Sequence, residues 1–147
     1  MTGHLPNPTA NPQAHGAVLA DIQKRWNAAA STWDIKALVE IYSADAMFFG
    51  LLPQLFVGRS EIEDYFRSYQ DVLDSVTLTL VEEHTRTLSQ DVFAAQGFAD
   101  VLNKRQDSTV ALSKIRFSFV LTNASDTWQI SLHHFSKVPQ HDASEPA

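Results

Sequence analysis

Arg116, Ser118, Ser131, His133 and Phe135 fall at alternating positions on two segments that read as the arms of one hairpin. A guanidinium can clamp a carboxylate through two charge-assisted hydrogen bonds. An imidazole beside it can accept or donate a proton near neutral pH. His134 is the alternative imidazole, but neighbours on a strand point to opposite faces, so only one of the pair enters any pocket. The same alternation argues against a metal: adjacent histidines cannot share one ion from a flat strand, and the chain has no cysteine. His84 and Arg86 share a face of an earlier strand. If the Val76, Leu78, Leu80 alternation continues, that face is the core side, and His84 either lines a pocket mouth or emerges into water. Asp45 and Asp64 suit a turn and a helix N-terminus and make no convincing acid–base pair.

The hairpin fixes these side chains relative to one another. Ile115, Phe117, Phe119 and Leu121 share one face, and Trp128, Ile130, Leu132 and His134 share one on the partner strand. A six-residue loop, 122–127, matches the two apolar rows, because a slip of one residue would set apolar against polar. Arg116 then opposes His133. Two arrangements remain open. In the first, the polar face looks into a hollow under the helices, and Phe117, Phe119, Trp128, Ile130 and Leu132 face outward as a dimer interface. In the second, the apolar row is core and Arg116 is wet. A β-bulge would swap the faces.

Helical periodicity precedes the strands. Val18, Ile22, Trp26, Ala29 and Trp33 form one face. Asp34 can cap a short second helix. Ser60 and Glu63 fit a capping box for a third, with Ile62, Tyr65, Phe66 and Tyr69 inward. Alternating runs at 76–80, 92–102, 110–121 and 128–137 predict antiparallel strands, with Gly97 as a bend or bulge. Helices first and a meander after predict an α+β domain with the helices on one face of a bent sheet. Trp26, Phe49 and Tyr65 are the aromatic candidates for a pocket lining.

The chain has 147 residues, enough for one domain, here placed at 17–139 between an uncharged, proline-bearing arm (1–16) and a tail (140–147). Net charge is −6, with no basic stripe, which argues against nucleic acid. No apolar run suits a signal peptide or a membrane span, and the absence of cysteine is compatible with a cytoplasmic location. No cofactor motif is present: there is no glycine-rich phosphate loop.

Trp26, Ile41-Tyr42-Ser43-Ala44-Asp45-Ala46, Gly58-Arg59, Tyr65-Phe66 and the closing run from Trp128 through His133-His134 to Pro139 resemble the nuclear-transport-factor-2-like (NTF2-like) superfamily over residues 18–139. They are most similar to bacterial relatives of the calcium/calmodulin-dependent kinase II association domain and to the SnoaL-like and SgcJ/EcaC-like groups. The resemblance implies a cystatin-like cone: three helices on a strongly curved antiparallel sheet, a pocket between them, and dimers built by packed sheet faces. It also implies pocket arginines. Arg116 matches one, while the other two positions hold Gly97 and Phe135. On this basis Arg116 and His133 are expected to look inward, with Trp26, Phe49, Tyr65, His84 and Phe135 around a small, carboxylate-bearing ligand. Two alternatives stand beside this one. The first is a SnoaL-like cyclase, isomerase or hydrolase using His133 or His134 for proton transfer. The second is an assembly module, without kinase activity and without calmodulin binding, since no basic amphipathic helix is present.

Overall fold

The computed structural model describes residues 12–140. Across them the chain forms α1 (Pro12–Ala30), α2 (Ile35–Glu40), β1 (Tyr42–Phe49), β2 (Phe56–Val57), α3 (Gly58–Arg67), β3 (Leu73–Ser89), β4 (Val92–Arg105), β5 (Val110–Ala124) and β6 (Thr127–Lys137). Helix α1 begins inside the expected arm. Proline suits a first helical turn because its missing N–H has no partner to lose there. The rest of the arm, residues 1–11, and tail residues 141–147 lie outside the described residues.

The sheet has six strands in the order β2-β1-β6-β5-β4-β3. It is mixed rather than purely antiparallel, because β1 runs parallel to β6. The three helices cover one face, and the sheet remains open. Its edge strand β3 is held by α1. The Asn27 amide donates to the Leu78 carbonyl at 2.8 Å and accepts from the Leu78 N–H at 2.7 Å, and Gln23 accepts from the Leu80 N–H at 2.8 Å. These bonds satisfy backbone groups that an uncovered edge would present to another chain. Arg25 fastens the same helix to β6, donating to the Trp128 carbonyl at 2.6 Å.

Local signals are partly as the sequence predicts. Asp34 caps α2, accepting from the Ala37 N–H at 3.1 Å. The third helix starts earlier than the capping box implied, at Gly58. Glu61, not Glu63, reaches back to the Val57 N–H at 2.9 Å. Trp33 follows α1 in the left-handed region at φ 52°, an unusual place for a bulky residue. Its indole N–H donates to the Phe66 carbonyl at 3.0 Å, and its ring meets Phe66 edge-on.

Two bulges decide which side chains face the helices. One lies in β3 between Leu80 and Glu82. There Gly97 of β4 comes so close that a Cβ on it would sit 1.7 Å from the Glu82 carbonyl oxygen. The glycine marked the bulge correctly, but the extra residue, Val81, is on the neighbouring strand. The second bulge shifts β6 at Ser131, between the pairs Leu121–Ile130 and Val120–Leu132. Beyond it Phe119 opposes His133 and Phe117 opposes Phe135, while Arg116 opposes Ser136.

The core is therefore the second of the two arrangements. Ile115, Phe117, Phe119, Leu121 and Ile130 are at most 1% exposed within a single chain. Phe117, Phe119 and Ile130 are thus unavailable to a dimer interface, and that expectation is corrected. Trp128 is half-buried, edge-on to Phe93. Leu132 alone of the five points outward, carried there by the bulge.

Candidate functional site

Between the helices and the inner sheet face lies a cavity of about 160 Å³. Aromatic rings dominate its walls: Trp26 and Trp33 around the end of α1, Tyr65 and Tyr69 from α3 and the turn after it, and Phe135 from β6. The ring of Tyr65 passes over Gly50 so closely that a Cβ there would lie 2.3 Å from it. The position after β1 therefore suits only a residue without a side chain. Asn103 and Arg105 supply the polar end. They continue the inward row of Ala95, Gly97, Ala99 and Val101 on β4. A polar continuation of an apolar row was the signal weighed at His84 and Arg86. The same signal, applied to β4, would have found this pair.

His133 is 1% exposed and lies next to this cavity, with its ring 3.9 Å from that of Phe135 and stacked at 4.1 Å on Phe48. Its Nδ1 is 2.9 Å from the Tyr42 hydroxyl, which in turn accepts from the Trp26 indole N–H at 3.3 Å. Burial raises Tyr42 far above the ordinary tyrosine range, so the phenol keeps its proton. Burial, and secondarily the neighbouring His134, hold His133 well below its ordinary value, so the imidazole is neutral. The Nε2 atom is buried without a partner.

This shift has a sign. The unfolded chain protonates His133 below pH of about 6.5, whereas the folded chain does not, so stability is full above that pH and falls beneath it. His15, lowered by burial, adds in the same direction. Lowering the pH from 7.5 to 5.0 should therefore reduce stability through His133. Urea unfolding at the two pH values checks it, with His133→Phe as the control that should lose most of the slope.

The bulges send the remaining candidates elsewhere. Arg116, Ser118, His134 and Ser136 lie on the outer face, with His84 and Glu82 across the sheet, around an open groove of about 530 Å³. Arg116 donates to the Ser136 hydroxyl at 3.0 Å, and Gln96 to Ser118 at 2.8 Å. Arg116 does not oppose His133 and does not look beneath the helices. His84 is exposed beside Glu82. Phe49 is 39% exposed and tilts toward His134 on the outer face. Of the expected lining, Trp26, Tyr65 and Phe135 meet at the inner cavity and His133 lies behind it, while Arg116, Phe49 and His84 are absent from it. No group of metal-ligating side chains occurs among the described residues, and no described helix is long and apolar enough to cross a membrane.

A cone of three helices on a bent sheet, closed over an aromatic cavity, defines the NTF2-like architecture. Within it, a family model for the SnoaL-like domain matches residues 19–141, and the chain belongs to that family. Solved structures agree on the fold. A protein from Xanthomonas campestris assigned as a calcium/calmodulin-dependent protein kinase II association domain has a TM-score of 0.77 at 21% identity, covering 95% of each chain. One from Novosphingobium aromaticivorans assigned as a scytalone dehydratase has a TM-score of 0.76 at 6% identity, covering 92% of this chain and 91% of that one. A protein of Streptomyces avermitilis assigned as a dehydratase of the NTF2-like family has 0.73 at 12%, covering 88% of this chain and all of the other. No curated protein matches the chain.

Proposed function

We propose that this protein binds a small, largely apolar molecule carrying one ring and an anionic group in the inner cavity. The observation that carries the reading is the aromatic enclosure, with a single guanidinium, Arg105, at its polar end. Few polar groups converging on an apolar hollow is the usual form of a small-molecule site. The volume suits one ring, since an apolar cavity of about 150 Å³ accommodates benzene. A carboxylate is the natural anion for a guanidinium. The carboxylate clamp is thus assigned to Arg105, while Arg116 belongs to the outer groove.

Benzoate should raise the melting temperature and quench the fluorescence of Trp26 and Trp33. Arg105→Ala should weaken benzoate about tenfold, as the loss of a charge-assisted bond predicts, while leaving neutral single-ring compounds unaffected. Absence of any response to benzoate and to neutral rings alike would end this reading.

A specific observation also favours self-association through the outer face. Met47 is 46% exposed and Phe49 39%, and the register places both in cross-sheet rows with Leu132, Val120 and His134. Glu82 and Arg116 on the same face give it charges of both signs, which can pair across a self-complementary two-fold contact. Light scattering should give twice the chain mass for wild type and a single mass for Met47→Glu/Phe49→Glu. A single mass for wild type at micromolar concentration rejects the dimer.

A further inference from the structure

Most polar side chains that line the inner cavity are already committed. The Trp26 indole donates to Tyr42, and the Trp33 indole donates to the Phe66 carbonyl. The Tyr65 hydroxyl lies against that of Tyr69 and accepts from the Leu51 N–H at 3.4 Å. Arg105 Nη1 donates to the Thr109 hydroxyl at 3.3 Å, which holds the guanidinium toward the turn after β4. Asn103 is different. It lines the same cavity and is half-buried, yet its carboxamide has no hydrogen-bond partner among the described residues.

The strand explains why. Alternate residues of β4 share the inward face, so Arg105, Asn103 and Val101 follow one another into the hollow. Directly across from Asn103 stand Val76 on β3 and Ala111 on β5, and neither side chain has a polar atom. The amide therefore has apolar neighbours on both sides and the cavity in front of it. Its surroundings are tied in place. The Gln106 N–H donates to the Val72 carbonyl at 3.0 Å and the Gln106 side chain to the Gln70 carbonyl at 2.9 Å, which joins the turn after β4 to the one that carries Tyr69. Two positions along one strand set the guanidinium-bearing and amide-bearing residues about 7 Å apart.

That spacing gives the two groups different tasks. A carboxylate on Arg105 sits at the turn end of the cavity. A ring hydroxyl ortho to it stays beside the guanidinium, whereas one on the far side of the ring reaches toward Asn103. A hydroxyl both donates and accepts, and a carboxamide offers an acceptor and donors to match it. We propose that Asn103 is the specificity-determining residue of the inner site, selecting aromatic acids with a hydroxyl meta or para to the carboxylate over the unsubstituted ring. The inference rests on the ligand-binding reading of the same cavity and narrows its ligand class to hydroxylated aromatic acids. An analogue without the hydroxyl covers the amide and leaves it unpaired, which is how such sites reject it.

Titration calorimetry with benzoate and its ortho-, meta- and para-hydroxy derivatives tests this. Wild type should bind the meta or para compound at least fivefold tighter than benzoate, the worth of one neutral hydrogen bond. Asn103→Leu, of similar size, should bind benzoate as wild type does and show no such gain. The ortho compound should not distinguish Asn103→Leu from wild type. Arg105→Ala should weaken all four ligands and keep the gain. NMR of the wild-type complex needs no variant to fold: the Asn103 side-chain NH2 should show contacts to the ring protons next to the bound hydroxyl. Benzoate binding with no gain from a meta or para hydroxyl, a gain that survives in Asn103→Leu, or a bound ring without contacts to Asn103 overturns the inference while the cavity reading stands. No response to benzoate, to its hydroxy derivatives or to neutral rings overturns both.

Discussion

Gly97→Ala should cost at least about 3 kcal/mol and lower the melting temperature by roughly 10 °C, the range reached by severe backbone conflicts in a chain of this size. The clash is with the backbone: the added methyl would lie 1.7 Å from the Glu82 carbonyl oxygen and 2.8 Å from its carbon. No side-chain rotation relieves that, so β3 must move away from β4 or give up its bulge. Giving up the bulge would turn Glu82 and His84 toward the helices. Gly16→Ala is the matched control. It lies in α1 with nothing within 4 Å of the new methyl, and should gain several tenths of a kcal/mol from helix propensity. Chemical unfolding of both variants checks the pair. A Gly97→Ala protein as stable as wild type would mean that the two strands are not this close.

Phe119→Ala should destabilise the fold by about 3–5 kcal/mol, the usual cost of removing a buried phenylalanine ring. Phe119 is 1% exposed and meets the rings of Phe117, His133 and Phe135 at 5.0, 5.4 and 6.0 Å. If this residue instead faced a second copy, the same substitution would leave the monomer stable and change only its association. Unfolding monitored at several protein concentrations separates the outcomes. A midpoint that is unchanged at low concentration would contradict the inward placement.

Phe119 also shows where sequence patterning stopped being informative. Period-two alternation found the strands and grouped Ile115, Phe117, Phe119 and Leu121 together, and helical spacing found Ile22, Trp26 and Ala29. Alternation does not report which face of a strand is the inner one, nor where an extra residue interrupts it. The two interruptions that set these faces fall on residues of ordinary composition, Val81 and Ser131. Each one reverses every assignment beyond it, so Leu132 went outward and His133 inward, against the apolar count. The resemblance to NTF2-like proteins identified the cone and placed Trp26, Tyr65 and Phe135 at a pocket. It aligned Arg116 with an inward arginine, but Arg116 stands between the buried Ile115 and Phe117 on β5, so strand alternation turns it to the outer face. Tyr42 is the first residue of β1, directly after the short second helix. Its part in holding His133 depends on a pairing between residues 91 positions apart, which no local pattern reveals.

That long-range pairing bears on how the chain is made. Strand β1 has β2 on one side and the last strand on the other, joined through Tyr42–Ile130 and Phe48–His133. During synthesis the first fifty residues leave the ribosome nearly ninety residues before their permanent neighbour exists. The meander β3 to β6 can zip in order, but the N-terminal edge has to wait for the end of translation. Contacts this distant in sequence are slow to close and leave apolar edges open in the interval. The step most exposed to chaperone capture or mispairing is therefore the final docking of β6 beside β1, and a chain truncated before Trp128 would have no route past it.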